Sequence, residues 1–315
     1  MKYAFFIIIF ITLLSLVSSC TTSVEDPITK LPPSENFDAH YGTWNTDGTK
    51  ILFHHTDLSG SIPKQYQLYV ADLQTNERFK TFDGPSLNPD WSPDEEWITF
   101  HSNSIPERIF KYSIDADSLV QLTGEQTAAD FRNTSIARWS PDGDHLLFTI
   151  IAGDPRGAVL MNSDGSDAEI VVPFAVGSNW FPDGEQIVYV NWDTDQPADR
   201  QRQLYMARAD GSNPKKLTDL DDSDIISSPA VSPDGNKIVF IHRSSPGTTD
   251  LFTLNLDTEE VQQLTYTPQE ITVFRPEWHP EGDRILFTAT IPNVSRRLYT
   301  IQPSSGEIEA VFPAP

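Results

Sequence analysis

The sequence predicts an all-β protein made of six equivalent units, and three observations lead to this prediction. A short phrase recurs six times: an aromatic or aliphatic residue, a Ser-Pro-Asp-Gly-like turn and an alternating apolar run. The phrases begin at positions 44, 91, 139, 180, 231 and 278, so the period is 41 to 51 residues. Each phrase is followed by a second apolar run and a short third one. A period of this length is typical of a solenoid, an array or a propeller.

The first element of each unit is a tight turn, which reads Trp139-Ser-Pro-Asp-Gly143 in the third unit. Proline sets φ at the first corner, aspartate tolerates the second, and glycine takes the left-handed residue that follows. Such a turn closes a hairpin between two strands, A and B. Glu95 replaces the glycine in the second unit and Val231 replaces the tryptophan in the fifth, so we expect these positions to turn or pack less well.

Strands B, C and D follow the turn. The run Ile238-Val-Phe240 alternates with period two and reads as strand B, and Leu251-Phe-Thr253 reads as strand C. Short closing runs such as Lys216-Leu-Thr218 and Gln263-Leu-Thr265 read as strand D. A lone four-stranded sheet cannot bury both faces, whereas radial stacking buries them and leaves short edges. The sequence therefore predicts a six-bladed β-propeller of four-stranded antiparallel blades over residues 38–315.

The recurrent tryptophan is predicted to pack between blades, because an indole buries a large area. A stacking platform for a sugar or a base is the alternative. The repeated structural residues are Trp44, Trp91, Trp139, Trp180 and Trp278, with the turn aspartates Asp47, Asp94, Asp142, Asp183 and Asp234.

These phrases resemble the TolB-type propeller repeat, also called the WD40-like PD40 repeat, over about residues 38–313. The resemblance implies the fold and leaves the activity open, since this scaffold hosts unrelated functions. TolB itself resembles an adaptor that works through protein contacts, a periplasmic propeller joined to a smaller α/β domain. This chain offers no stretch long enough for that second domain, so the resemblance is to the propeller alone.

The N-terminus is typical of a bacterial lipoprotein. Residues 1–19 contain Lys2, a short apolar run and small residues, which predict a secretory signal and no transmembrane helix. Cys20, the single cysteine, stands where a lipobox places the acylated residue. Residues 20–37 are predicted to tether the lipid to the propeller. Residues 28–31 have two interpretations: part of this tether, or a closing strand added to the last blade.

The formal charge of −23 limits the expected partners. Nucleic acids and anionic lipid surfaces require basic patches, so we exclude both. We expect a monomer in the bacterial cell envelope that is anchored through lipid alone, in the periplasm or at the outer membrane or cell surface.

The binding face is predicted to carry the B–C and D–A loops. The A–B turns are tight, whereas loops 54–66, 123–135, 190–202 and 219–228 are long. Function on a rigid scaffold concentrates in such loops. The candidate contact residues are Trp192, Tyr266, Asp193, Asp195, Asp221, Asp222 and Asp224.

A divalent metal site is a second hypothesis for the same face. Imidazole and carboxylate groups are ordinary ligands of transition metals. The alternative is that these are solvated residues of separate blades, because no compact ligand motif occurs; on that interpretation no cofactor is expected. The candidate ligands are His40, His54, His55, His101 and His242.

The function predicted from the sequence is a non-catalytic envelope module that presents loops to a protein, a peptide or a glycan. No G-x-S-x-G nucleophile elbow occurs, which disfavours a serine peptidase. The enzymatic alternative resembles the oligogalacturonate lyases, which are propellers with metal-binding histidines at one mouth. Whether the chain is an enzyme is left open, with binding favoured.

Overall fold

The structure is a computed structural model that describes residues 38–56, 66–84, 86–102, 107–124, 134–150, 156–191, 202–220, 225–244, 248–268, 271–291 and 296–312. These residues form an all-β, six-bladed propeller, which confirms the predicted fold class. The predicted signal peptide 1–19, the predicted lipidation site Cys20 and the predicted tether with residues 28–31 lie outside the described residues.

Each blade is a meander of four consecutive antiparallel strands. Blade 1 contains β1 (Ala39–Trp44), β2 (Lys50–Thr56), β3 (Tyr66–Asp72) and β4 (Glu77–Phe82). Blade 2 contains β5 (Ser86–Trp91), β6 (Trp97–Ser102), β7 (Ile109–Ser113) and β8 (Ser118–Gln121). Blade 3 contains β9 (Thr134–Trp139), β10 (His145–Ile150), β11 (Gly157–Asn162) and β12 (Glu169–Pro173).

The second half of the ring repeats this order. Blade 4 contains β13 (Ala175–Trp180), β14 (Gln186–Asn191), β15 (Gln203–Arg208) and β16 (Lys215–Lys216). Blade 5 contains β17 (Ile225–Val231), β18 (Lys237–Ser244), β19 (Thr248–Asn255) and β20 (Val261–Gln263). Blade 6 contains β21 (Thr272–Trp278), β22 (Ile285–Thr290), β23 (Arg296–Ile301) and β24 (Ile308–Ala310).

Apolar side chains fill the seams between neighbouring blades. Six buried clusters form among the described residues, and each joins two adjacent blades. In the seam between blades 3 and 4, Trp180 packs with Leu147 and Tyr189. In the seam between blades 6 and 1, Trp44 packs with Leu286. The hydrophobic core is therefore a ring of six wedges, as radial stacking of sheets requires.

The A–B turns of blades 2, 3 and 5 are held by a serine and an aspartate two residues later. Ser140 Oγ donates to Asp142 and accepts the backbone N–H of His145 at 2.9 Å. Asp142 also accepts the N–H of Asp144 at 3.0 Å, and these two donors lower the pKa of its carboxyl. Gly143 adopts φ of 79°, the left-handed conformation that the turn requires.

Glu95 adopts the left-handed conformation of the glycine that it replaces, with φ of 59°. Its carboxylate accepts the N–H of Thr46 at 3.1 Å and Asn45 Nδ2 at 3.2 Å, both from blade 1. The strain expected at this position is therefore offset by two hydrogen bonds across a seam.

The D strands end earlier than the sequence predicts. β16 and β20 stop at Lys216 and Gln263, before the Leu-Thr pairs that the prediction included. Beyond these ends a threonine hydroxyl, rather than a backbone carbonyl, pairs with strand C. Thr265 Oγ1 accepts the N–H of Leu251 at 2.8 Å, and Thr218 Oγ1 accepts that of Leu204 at 3.0 Å. The Leu-Thr motif thus pairs the start of strand C through a side chain.

Blades 6 and 1 are joined by side chains. Glu277 Oε1 accepts Thr43 Oγ1 at 2.6 Å and the N–H of Trp44 at 3.1 Å. Asp38 Oδ1 accepts the N–H of Arg296 at 2.9 Å. Four strands of blade 6 come from one stretch of chain, so among the described residues this contact closes the ring without a shared strand.

Membrane-spanning helices were sought in the described part of the chain. None of its segments forms a helix with the length and apolar character needed to cross a bilayer.

Candidate binding site at the mouth of the central channel

Every innermost strand breaks its pairing register at the same point. In β1 the slip lies between His40 and Thr43, and in β21 it lies between Phe274 and Glu277. Bulges of this kind re-aim side chains and occur next to functional sites. The six bulge residues, all with φ between 29° and 60°, are Tyr41, Asn88, Ile136, Gly177, Ser228 and Arg275.

Five of these bulge residues, all except Gly177, line a cavity of about 390 Å³. The start of β17 and the end of β18, represented by Ile225 and Arg243, line it as well. Strand A begins and strand B ends on the face of the B–C and D–A connections. The cavity therefore forms the mouth of the central channel on the face that the sequence predicts to bind. Pockets for small ligands have volumes in this range.

The charge of this cavity is opposite to that of the chain. Its lining includes Arg202, Arg243 and Arg275 and, among the described residues, neither aspartate nor glutamate. The guanidinium of Arg296 lies 5.6 Å from the ring centre of Tyr41, a further lining residue. A protein with a formal charge of −23 thus presents a cationic mouth, which favours anions over cations.

Arg275 is the most buried of these cations, with 6% of its surface exposed. Its Nη1 donates to Asn88 Oδ1 at 2.5 Å, and its guanidinium lies 5.6 Å from the ring centre of Tyr41. Its Nε and Nη2 are buried and have no hydrogen-bond partner among the described residues. Burial, and then the charge of Arg138, lower the pKa of Arg275 to about 9.

Asn88 and His101 hold Arg275 in place. An amide nitrogen can only donate, so Asn88 Nδ2 donates to His101 Nε2 at 3.2 Å and leaves Oδ1 for Arg275. Burial, and then the charge of Arg275, lower the pKa of His101 to about 4. The imidazole is therefore neutral at pH 7 and able to accept this bond.

Below the mouth, Arg138 connects three blades. Its Nη1 donates to Asp90 Oδ1 at 2.8 Å and to Glu277 Oε2 at 3.2 Å. Asp90 Oδ2 also accepts the N–H of Trp139 at 2.9 Å. Burial raises the pKa of Asp90, although Arg138 opposes that rise. Burial lowers the pKa of Arg138, but the two carboxylates outweigh it and raise the value above the ordinary one.

Sequence reasoning missed the residues that line the channel, although the repeat contains a signal for them. Each bulge residue stands three positions before the leading residue of its phrase, as Arg275 does before Trp278. Arg138 and Glu277 each stand one position before it. Aligning the six phrases and reading these two columns finds the charged residues of the channel.

Two of the predicted metal ligands are neighbours in blade 1. The rings of His40 and His54 lie 5.2 Å apart, and His40 Nε2 lies 3.3 Å from Thr56 Oγ1. Both nitrogens of His54 are buried with no hydrogen-bond partner among the described residues. Burial, and then the charges of His40 and Arg275, hold the pKa of His54 well below its usual range.

The charge of His101 also lowers the pKa of His54, but the other predicted ligands make different contacts. His101 bonds Asn88 in blade 2, and His55 Nδ1 lies 3.1 Å from the carbonyl oxygen of Asp38. His242 packs its ring edge-on against Phe252 in blade 5, with centroids 4.8 Å apart. None of the five belongs to a described group of three ligand atoms within 4.8 Å of one another.

One such group occurs elsewhere in the described residues, on the A–B turn of blade 6: His279, Glu281 and Asp283. His279 has a structural role there. Its Nδ1 accepts the N–H of Glu281 at 3.2 Å, and its ring meets Trp44 edge-on with centroids 4.7 Å apart. The two carboxylates are exposed, and His279 occupies the place that Ser140 has in blade 3. We therefore interpret these three residues as part of a structural turn at the seam between blades 6 and 1, and not as a metal site.

Of the predicted contact residues, the structure describes Tyr266, which is 48% exposed after β20 on the long-loop face. The remaining candidates lie outside the described residues: Trp192, Asp193, Asp195, Asp221, Asp222 and Asp224.

Comparison with known proteins identifies the repeat. A profile of the TolB beta propeller domain family matches residues 35–314. The uncharacterized protein Atu1656 of Agrobacterium fabrum is 31% identical over 176 residues, which are 50% of this chain and 57% of that protein. The aligned region thus spans little more than half of this relative.

Solved structures show the same fold at low identity. TolB from Acinetobacter baumannii superposes with a TM-score of 0.67 at 18% identity, over 84% of this chain and 63% of that one. An oligogalacturonate lyase in complex with manganese superposes with a TM-score of 0.58 at 13% identity, over 88% of this chain and 77% of the lyase. Sequence identities this low indicate a shared fold and give no evidence of a shared activity.

Proposed function

Since the chain belongs to the TolB beta propeller domain family, we propose that it is a non-catalytic binding module of the bacterial envelope. Its ligand site is the mouth of the central channel, on the face of the B–C and D–A loops. The ligand is a segment of a protein or peptide that enters this mouth. The blades hold the mouth rigid, and its polar groups and exposed rim residues such as Tyr266 make the contacts.

The observation that carries this proposal is the cavity of about 390 Å³ at the mouth. Its wall combines aliphatic side chains such as Ile225 and Ile241 with the guanidinium of Arg275. A concave, mostly apolar site with a few oriented polar groups is the usual form of a ligand pocket. All six bulges meet at this channel, so the ring concentrates its irregular backbone there.

The geometry favours binding over metal-dependent catalysis. None of His40, His54, His55, His101 and His242 belongs to a described three-ligand group. The likeness to a manganese-bound lyase concerns the fold. A lyase-like enzyme therefore stays the alternative, and metal analysis separates the two functions.

The test is a binding screen of the purified full chain against a peptide library and a glycan array. The site is assigned by substitution: Thr272→Trp places an indole in the mouth cavity that Thr272 lines. Thr258→Trp is the matched control, because Thr258 lies in an exposed turn on the opposite face. We expect Thr272→Trp to abolish binding and the control to retain it. Absence of any ligand for the mouth, or equal effects of both substitutions, contradicts the proposal.

We further propose that Cys20 carries the lipid anchor. The apolar run before it and the polar, proline-containing segment after it support this. Cys20→Ser is expected to move the protein from the membrane fraction to the soluble fraction. Ser23→Ala, the control, is expected to leave the protein in the membrane fraction. Mass spectrometry of the N-terminal peptide provides the direct measurement, and an unmodified Cys20 thiol in membrane-bound protein contradicts the anchor.

A further inference from the structure

We propose that Arg275 binds the carboxylate of a peptide carboxyl terminus whose last side chain is apolar. This inference rests on the proposed binding function and specifies the chemistry of its ligand. Three observations carry it: the two buried donors of Arg275 that have no partner among the described residues, the positive charge of the mouth and the apolar wall beside the guanidinium.

The two buried donors of Arg275 that lack a described partner have the geometry of a carboxylate fork. Nη1 is occupied by Asn88 Oδ1, while Nε and Nη2 have no partner among the described residues. Nε and Nη2 are the side-on pair of a guanidinium, so their N–H bonds run parallel and match the two oxygens of a carboxylate. A ligand carboxylate would accept both bonds at roughly 2.7–2.9 Å, once the side chains that bury these two nitrogens move aside.

The burial of Arg275 argues for a ligand rather than for a structural role. A buried charge without an ion-pair partner costs stability. Arg138, the other buried arginine of the channel, has two carboxylate partners, Asp90 and Glu277. Arg275 has Asn88 and the ring of Tyr41, and no described carboxylate within 4.0 Å. An anionic ligand would supply the missing charge.

The orientation of Arg275 is fixed before any ligand arrives. Asn88 holds Nη1, and His101 fixes the Asn88 amide through Nε2. Its backbone is fixed as well, in a left-handed bulge with φ of 47°. Preorganisation of this kind reduces the entropic cost of binding.

The apolar wall of the cavity favours a ligand whose terminal side chain is apolar. Ile225, Ile241, Val273 and Phe274 line the same space as Arg275. A free phosphate or a uronic acid would place polar oxygens against this wall, whereas an apolar terminal side chain buries it. Arg202 and Arg243 also line the cavity, so they add positive potential for an incoming anion.

The test compares ligands on the unmodified full chain. Short peptides that end in Leu or Phe with a free carboxylate are titrated by calorimetry, next to the same peptides with a C-terminal amide. We expect the amide to weaken binding roughly ten- to hundredfold, as the loss of charge-assisted hydrogen bonds does. Equal affinity of acid and amide overturns the inference and leaves the proposed binding function intact. Failure of every peptide at the mouth contradicts both.

Two further ligands decide the chemistry. Inorganic phosphate and oligogalacturonate are titrated as competitors of the peptide. We expect neither to displace it at equal concentration. Stronger binding of phosphate overturns the carboxylate assignment, and stronger binding of oligogalacturonate overturns the peptide assignment.

Substitution of Arg275 tests the residue itself. Arg275→Lys keeps the charge and loses the fork, so we expect the preference for acid over amide to fall to nearly one. Arg208→Lys is the matched control, because Arg208 is exposed at the end of β15 on the opposite face. Arg275→Met removes an unpaired buried charge, so its Tm is expected to equal or exceed that of the unsubstituted protein. A marked fall in Tm would show that Arg275 is structural.

Discussion

Arg138 of blade 3 reaches Glu277 of blade 6, the blade directly opposite in the ring, with Nη1 3.2 Å from Oε2. The same Nη1 lies 2.8 Å from Asp90 Oδ1 of blade 2. The side chains of all three residues are largely buried. One guanidinium thus crosses the channel and ties non-adjacent blades together.

Removing Arg138 is expected to destabilise the whole ring. Arg138→Met leaves the carboxylates of Asp90 and Glu277 buried without their cation, which costs about 3–5 kcal/mol in comparable cases. Urea unfolding at pH 7 measures the loss. Arg284→Met is the matched control, since Arg284 forms an exposed pair with Asp283 and such pairs contribute below about 1 kcal/mol. Similar losses in both variants contradict a special role for Arg138.

The closing seam makes a second prediction. Gly48 has φ of 72°, and a Cβ there would lie 2.2 Å from Nε2 of His279, whose ring packs against Trp44. Gly235 has φ of 74°, and a Cβ there meets nothing within 4 Å. Gly235→Ala is expected to cost about 1–2 kcal/mol from backbone strain alone. Gly48→Ala is expected to lower the free energy of unfolding clearly more than Gly235→Ala does. Equal free energies of unfolding for the two variants would show that the His279 ring moves aside at little cost.

Stability is expected to fall in mild acid because of His101. Its folded pKa of about 4 lies below the value of about 6.5 in the unfolded chain. Between these values the unfolded state binds more protons, so the free energy of unfolding decreases as pH falls. His101 alone contributes about 2 kcal/mol of this decrease from pH 7.5 to pH 5. His54, whose pKa is also lowered by burial, adds to it.

The pH effect is assigned with His101→Gln, which keeps an acceptor for Asn88 and removes the titration. Its unfolding free energy should change less between pH 7.5 and pH 5 than that of the unsubstituted protein. His145→Gln, at the half-buried start of β10 in blade 3, is the control and should retain the full dependence. An unchanged pH dependence in His101→Gln contradicts the assignment.

Metal analysis tests the enzymatic alternative. The described residues bring no three ligand atoms together from His40, His54, His55, His101 and His242. We therefore expect the purified full chain to retain less than one transition metal ion per molecule after gel filtration. One bound ion that is lost in His54→Phe and retained in His145→Phe favours the lyase-like function instead.

The repeat phrase made the architecture predictable. A turn such as Ser140-Pro-Asp-Gly143 determines its own geometry through local φ preferences and short-range hydrogen bonds, and the strands after it follow from alternation. Six copies specify six blades because every unit has the same apolar faces to bury. The exact end of strand D was not predictable, since Thr265 pairs Leu251 through its side chain.

The site depended on the tertiary structure. His55 and His242 share one repeat position, yet they belong to blades 1 and 5, and equivalence in a ring does not bring residues together. Arg275 and Asn88 are 187 positions apart in the chain and meet because closure of the ring brings blades 6 and 2 to one axis. Local preferences therefore determined the blades of this protein, while only the closed ring decided which charges face each other across the channel.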